Sequence, residues 1–293
     1  MKNGFININK AVGMTSHDVV NRVRKIFNTK KVGHAGTLDP FATGVLPIAV
    51  GRATKFLEYL SDCDKSYRAE IFFGVETSTG DITGKVLKKL TYQPKMLDEV
   101  DKVLSSFIGT IQQTPPKYSA IKVNGRKAYE LARKNVDFEL PSREVKIYSL
   151  KVVSMTEDTV TVDVDCSKGT YIRSLAVDIG RRLGVPATLK NLQRTRARTF
   201  SINNSVTLEN LQNIDEAAVI NVDTCLTHLP RYDLPERRLK AFCSGLTTRI
   251  NENFAEGALF RVYVGDDYIG VGKILDSELK ADKVLVDGEL KWT

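Results

Sequence analysis

The stretch Gly33-His-Ala-Gly-Thr-Leu-Asp-Pro-Phe-Ala-Thr-Gly-Val-Leu46 sets one carboxylate, Asp39, in a glycine-flanked loop between the basic pair Lys30 and Lys31 and an apolar run. Pro40 disfavours the α conformation at Asp39, so this side chain is held in extended or turn geometry. Gly33, Gly36 and Gly44 allow backbone to approach a ligand closely. From the residues alone, Asp-Pro between glycines is most simply a turn, with a catalytic carboxylate as the alternative.

Working outward, residues 4–9 read as a strand. Thr15 or Ser16 caps a helix whose apolar positions Val19, Val20, Val23, Ile26 and Phe27 share one face. Residues 31–36 read as a Gly-rich loop, 45–50 as a short buried strand and 54–60 as a helical stretch. Residues 65–73 alternate, with Tyr67, Ala69, Ile71 and Phe73 pointing to one side. Turn residues occupy 77–84, and 94–107 has helical spacing. Residues 119–123 are strand-like, and Asn124-Gly125 signals a tight turn. Residues 144–155 and 159–166 form an antiparallel pair, and 171–183 a helix that buries Ile172, Leu175, Ala176, Ile179 and Leu183. Strands and helices mix without a regular βαβ period, so the expected class is α+β with a mixed, largely antiparallel sheet.

Pro230, Pro235 and a change of charge mark a boundary, which divides the chain into 1–229 and a small β-rich unit, 230–293. Short strands are expected there at 260–264, 268–274 and 284–286. The chain has 293 residues, is 42% apolar and 27% charged, and carries a net +8. That composition is globular. No run approaches the roughly eighteen apolar residues of a membrane span. The N-terminus lacks the apolar core of a signal peptide, so a cytoplasmic protein is expected.

Cys63, Cys166, Cys225 and Cys243 are scattered, as are His17, His34 and His228. Neither set has metal-ligand spacing, so buried free thiols and no metal are expected. Residues 231–293 hold ten basic and eleven acidic side chains, which places the basic excess in the larger part. One block, 168–198, has eight basic residues against Asp178 alone. A second runs through Lys117, Lys122, Arg126, Lys127, Arg133 and Lys134, with Tyr118 and Tyr129 interleaved. Basic side chains with aromatics suit phosphates and unstacked bases, although solvated faces carry similar patterns.

The fourteen-residue stretch resembles the signature of the TruB family of tRNA pseudouridine synthases. Asn9-Lys10 with Gly13 and Ser16, Lys65-Ser-Tyr67, Thr114-Pro-Pro-Lys-Tyr-Ser-Ala-Ile-Lys122 with Gly125 and Tyr129, and Cys166-Ser-Lys-Gly-Thr-Tyr-Ile-Arg173 resemble further family blocks, in family order. The resemblance spans residues 4–212. Phe41 departs from the family's commoner Leu and alters a pocket wall. Residues 230–293 resemble an RNA-binding PUA domain in position, length and strand content.

The resemblance implies a pseudouridine synthase fold and conversion of uridine to pseudouridine at position 55 of the tRNA T-loop, by base flipping and without cofactor. It implies that Asp39 is the catalytic residue and Arg173 its partner. Tyr67, Tyr171 and Leu192 would line the nucleotide pocket, with Tyr67 stacking on the uracil. His34 would fill the space left by the flipped base. Lys10, Lys122, Arg126, Lys168, Arg194 and Arg196 are the expected RNA contacts. The implied partner is the tRNA T-arm, with no membrane, no obligatory protein partner and a monomeric state. Two other readings are an RNA-binding protein whose pocket merely holds a flipped base, and a guide-RNA-dependent relative of the enzyme.

Overall fold

The computed structural model describes residues 2–91, 96–123, 125–134, 136–250 and 252–286. Alternation builds its main sheet. In β1 (Gly4–Lys10), Ile6 and Ile8 face one core and Phe5 the other. Thr15, not Ser16, caps α1 (Ser16–Ile26) through a reciprocal bond pair with Asp18, which satisfies otherwise orphaned N–H groups. The anticipated 31–36 loop contains a short strand, β2 (Val32–His34), paired with Ile48–Val50.

Beyond it, β3 (Thr43–Val50) is buried on both faces, with Leu46 and Ile48 opposite in sense to Val45 and Ala49. The 54–60 stretch begins as a 3-10 turn, Gly51–Phe56, before the short helix Leu57–Ser61. In β4 (Lys65–Phe73) every second residue is buried, as the period-two pattern requires. The helix expected at 94–107 is α2 (Leu97–Ser105); Pro94 lies outside the described residues, as does Asn124 of the tight turn.

The sheet is completed by β5 (Gly109–Gln113), β6 (Arg143–Met155), β7 (Thr159–Cys166) and, after α3 (Ile172–Leu183), β8 (Ala187–Ala197). Of the 119–123 expectation only Lys122–Val123 is extended, hairpinned with Arg126–Lys127. Among the described residues nine strands join in the order β1-β3-β8-β4-β7-β6-β5, with β2 on β3 and Phe200–Ser201 on β8. Every pair on that path is antiparallel except β3 with β8, where Gln193 lies opposite Thr43 and Arg194 opposite Gly44. The fold is therefore α+β with a mixed, largely antiparallel sheet.

β8, at the centre, escaped the sequence reading. Its register shifts between Leu189 and Asn191 and again between Arg194 and Arg196, which breaks the alternation that identifies a strand. Gly44 permits the parallel contact: it has φ +99°, and a Cβ there would lie 2.3 Å from the Arg194 carbonyl oxygen.

Helices α1 and α3 cover one sheet face with Val19, Val20, Val23, Leu175, Ala176 and Ile179. The other face packs Phe5, Val45 and Ala49 against Phe56, Phe200, Leu226 and Val271. Val271 belongs to a second, C-terminal sheet of five strands among the described residues, ordered Arg231–Asp233, Leu259–Val264, Asp267–Leu275, Glu278–Val284 and Thr248–Arg249. The expected strand at 284–286 is thus the end of a longer one that stops at Val284. This sheet has its own core of Phe242, Phe260, Val262, Ile269, Ile274 and Leu279. The Phe56 and Tyr268 rings, 6.3 Å apart, and an Arg52 bond to the Leu285 carbonyl at 3.1 Å tie it to the main sheet. No described helix is long and apolar enough to cross a membrane. All four cysteines are free; Cys63, Cys166 and Cys225 are buried, whereas Cys243 is half-buried.

Candidate active site

Between β2 and β3 the chain crosses the sheet end in a loop that ordinary loop chemistry would leave mobile. Here four neighbours pin it. Ser16, freed from capping, turns inward and accepts from Leu38 N–H at 2.9 Å while donating to Leu38 C=O at 3.2 Å. Gly13 N–H and Lys10 Nζ both donate to Pro40 C=O, at 2.8 and 3.4 Å. Arg194 donates to Gly36 C=O at 3.1 Å and to Thr37 C=O at 3.5 Å. Asp39 itself closes a turn, its carbonyl accepting from Ala42 N–H at 3.1 Å. The side chain is therefore presented from a fixed backbone.

Opposite the loop stands the start of α3. Its cap residue, Tyr171, makes no side-chain cap bond. Gln113 of β5 supplies one instead: its Oε1 accepts from Tyr171 N–H at 2.7 Å and its Nε2 donates to Tyr171 C=O at 3.1 Å. Two residues on, Arg173 enters the interior with only 6% of its side chain exposed. Its Nε lies 2.9 Å from Asp39 Oδ2 and its Nη1 3.6 Å from Asp81 Oδ2. Nη1 also donates to Thr79 C=O at 3.1 Å and Nη2 to Tyr118 C=O at 2.9 Å.

One guanidinium thus joins two unlike carboxylates. Asp81 is 5% exposed and accepts from Thr79 Oγ1 at 2.9 Å and Thr83 N–H at 3.0 Å, whereas Asp39 is 37% exposed. Burial pushes the Asp39 carboxyl above its ordinary value; Arg173 opposes this, Asp81 adds to it, and Lys10 opposes it. A carboxylate poised in this way is better suited to bond formation or proton removal than a fully solvated one. Asp81 was missed in the sequence, where residues 77–84 read only as a turn. Gln113 was missed too, since nothing in its spacing marks a cap supplied in trans.

Tyr67 is buried on the apolar face of β4, in the same cluster as Leu38, Ala42 and Leu192, with Phe41 packed against it. Burial raises its phenol to about 12 against the opposing charge of Arg194. Tyr171 is half-buried, its ring covered by the Arg143 guanidinium at 4.8 Å. His34 is half-buried on β2; its Nδ1 has no hydrogen-bond partner among the described residues, and burial lowers its pKa. Lys122 and Arg126 are exposed on their hairpin. Lys168 is exposed and paired with Asp62 at 2.6 Å, and Arg196 is half-exposed, paired with Asp165 at 3.2 Å.

Two expected RNA contacts are revised. Lys10 is 0% exposed, with Nζ bonded to Met14 C=O at 2.7 Å and Ala11 C=O at 3.0 Å, and burial lowers its pKa to about 8. Arg194 is 1% exposed, with Nε bonded to Val45 C=O at 2.7 Å. Neither side chain reaches a solvent-borne phosphate. Charge along the chain does not disclose burial, which is why both residues count among the expected RNA contacts.

Residues 24–172 match the model of the TruB family pseudouridylate synthase N-terminal domain, and 173–228 that of the tRNA pseudouridylate synthase B C-terminal domain. The chain is 43% identical over 269 residues to the tRNA pseudouridine synthase B of Bacillus pumilus (strain SAFR-032), which covers 88% of this chain and 87% of the relative. It is 43% identical over 290 residues to that of Clostridium kluyveri, covering 97% and 99%. A solved chain of an H/ACA RNP bound to a substrate RNA containing 2′-deoxyuridine superposes with a TM-score of 0.74 at 25% identity, covering 97% of this chain and 85% of that one. A chain of a Cbf5-Nop10-Gar1 complex gives 0.74 at 27% identity, covering 96% and 84%.

Proposed function

The chain belongs to the TruB family of pseudouridylate synthases, and from that premise we propose that it isomerises uridine 55 in the T-loop of tRNA, with Asp39 as the reacting carboxylate. The observation that carries this reading is Asp39 itself, fixed on a pinned loop and paired with Arg173 at 2.9 Å. Isomerisation breaks C1′–N1, turns the uracil and joins C1′ to C5. Atoms and electrons balance within the nucleotide, so the proposal includes no cofactor.

A stacked nucleotide cannot present C1′ and C5 to a loop-borne carboxylate, so it must be extruded, at a cost of a few kcal/mol. In the proposed complex Tyr67 stacks on the uracil and handles a proton, while Tyr171 and Leu192 wall the pocket. His34 fills the space the base leaves. Arg173 keeps Asp39 ionised in a site that desolvation would otherwise neutralise.

Backbone contacts offset the flipping cost. Lys122, Arg126, Lys168 and Arg196 are the proposed phosphate contacts, and residues 230–293 act as a PUA-like RNA-binding unit. Binding should weaken linearly in log salt through counterion release. Lys122→Ala and Arg126→Ala should each lower that slope by about one, measured by filter binding over a salt series.

The proposed enzyme works as a cytoplasmic monomer on free tRNA. The test incubates the purified chain alone with transcript tRNA and maps pseudouridine by mass spectrometry. Conversion at position 55 is expected. The likeness to H/ACA RNP chains favours one competing reading, guide-dependent modification. Inactivity on free tRNA with activity restored by a guide RNA together with protein partners would establish it instead.

A further inference from the structure

Arg194 lies in the interior of the sheet, where a guanidinium is costly and an apolar residue of similar volume is not. Its neighbours show what that cost achieves. On β8 it is flanked by Gly44 of β3 on one side and Tyr67 of β4 on the other. Nε donates to Val45 C=O at 2.7 Å, Nη2 to Gly36 C=O at 3.1 Å and Nη1 to Thr37 C=O at 3.5 Å. Two of these carbonyls, Gly36 and Thr37, belong to the arm of the loop that leads to Asp39, and the third, Val45, to β3, the strand into which the loop runs. The same charge bears on the Tyr67 phenol, whose other ionisable neighbours are Cys166 and Cys63.

Gly36 and Thr37 precede Asp39 by three and two residues, and Val45 follows it by six. The rigid guanidinium fork therefore ties the arm before Asp39 to the strand after it, in directions that the single point charge of a lysine cannot reproduce. Gly44 makes the approach possible, because a Cβ there would meet the Arg194 backbone.

We propose that Arg194 is a positioning residue for uridine isomerisation, a buried clamp that fixes the Asp39 loop relative to Tyr67. This rests on the reading of Asp39 and Tyr67 as members of the reacting site. Arg194 acts through them and does not touch RNA.

The test compares wild type, Arg194→Met, Arg194→Lys and Asp39→Asn in single-turnover conversion of transcript tRNA, at a temperature where melting curves show each chain folded. Arg194→Met should lower the rate at saturating tRNA roughly 100-fold, the scale of an ångström-sized misplacement. Arg194→Lys should fall between it and wild type. The tRNA Kd and its salt slope should stay within about twofold of wild type, since a clamp acts on kcat and a phosphate contact on binding. Tyr67→Phe should slow wild type by more than it slows Arg194→Met, because the two side chains act through one geometry.

A salt slope lowered by about one with the saturated rate intact would make Arg194 an RNA contact and overturn the proposal. So would an unchanged rate per folded molecule, or fold-losses that simply multiply in the double variant. Asp39→Asn serves as the separate control: if it converts uridine as wild type does, the reading of the site fails, whatever Arg194 does. Should neither Arg194 variant fold, the unaltered chain decides through arginine-labelled NMR. The Arg194 Nε–H, shielded on Val45 C=O, should then exchange far more slowly than exposed arginines, with and without tRNA. Exchange at the exposed rate would overturn the clamp.

Discussion

Asp39→Asn is expected to lower pseudouridine formation in transcript tRNA by on the order of 10^4-fold or more, the scale of losing a nucleophile or base outright. Affinity for tRNA should remain within a few fold, because the neutral amide keeps the loop and its neighbours. Single-turnover conversion and filter binding on the same preparation check both halves. The wild-type rate should rise with pH through one ionisation above the usual carboxylate range, since burial outweighs Arg173 in setting Asp39.

The same shift has a consequence for stability. A carboxyl whose pKa is raised by folding holds its proton more tightly in the folded chain than in the unfolded one. Its stabilising contribution is therefore largest in acid and falls as pH rises through the window between the ordinary and raised values. Asparagine has no such proton, so Asp39→Asn should melt at or above wild type near neutral pH and lose that advantage below about pH 4. A lower melting temperature at neutral pH would contradict the assigned desolvation.

Arg173→Met carries the second large effect, on both rate and folding. Removing the guanidinium leaves Asp81, 5% exposed, as a buried carboxylate without its cation, and frees Asp39 from its partner at 2.9 Å. Loss of one partner of a buried pair typically costs about 3–5 kcal/mol, readable in urea unfolding. Conversion should fall by about 10^3-fold, as expected when a fixed electrostatic partner is lost. Adding Asp81→Asn should recover much of the stability and none of the rate, because it cures the stranded charge and leaves Asp39 unsupported. Recovery of both would mean that Arg173 serves the fold alone.

Much of the fold was legible where periodicity is undisturbed. Residues 65–73 and 159–166 alternate cleanly, and the α1 and α3 faces repeat at helical spacing, so β4, β7 and both helices are readable from apolar periodicity alone. β8 was not, because two register shifts interrupt its alternation and its solvent-side residues are Lys190, Asn191 and Arg196. β5 was hidden for a related reason: it is a short edge strand, Gly109–Gln113, whose exposed positions carry Thr110 and Gln112.

The site divides along a similar line. Asp39 and Arg173 were named from motifs more than 130 residues apart, and Asp81, which shares the same guanidinium, was passed over as part of a turn. A turn carboxylate becomes a buried ion partner only through what packs above it, in this case the first turn of α3.

By itself the sequence determined which chemistry is available: a lone carboxylate in a glycine-flanked loop, aromatic residues on alternating strands, and a basic excess outside the C-terminal sheet. It also determined the local elements, because side-chain period and capping are properties of neighbouring residues. Only the tertiary structure decided which cations face solvent and which are sealed in. Lys10 and Arg194 read no differently from Lys122 or Arg126 along the chain. Their burial follows from long-range packing: the carbonyls that hold Arg194 converge only when β3, β8 and the Asp39 loop come together, and Lys10 is sealed in beneath the same loop at Pro40, which no local pattern encodes.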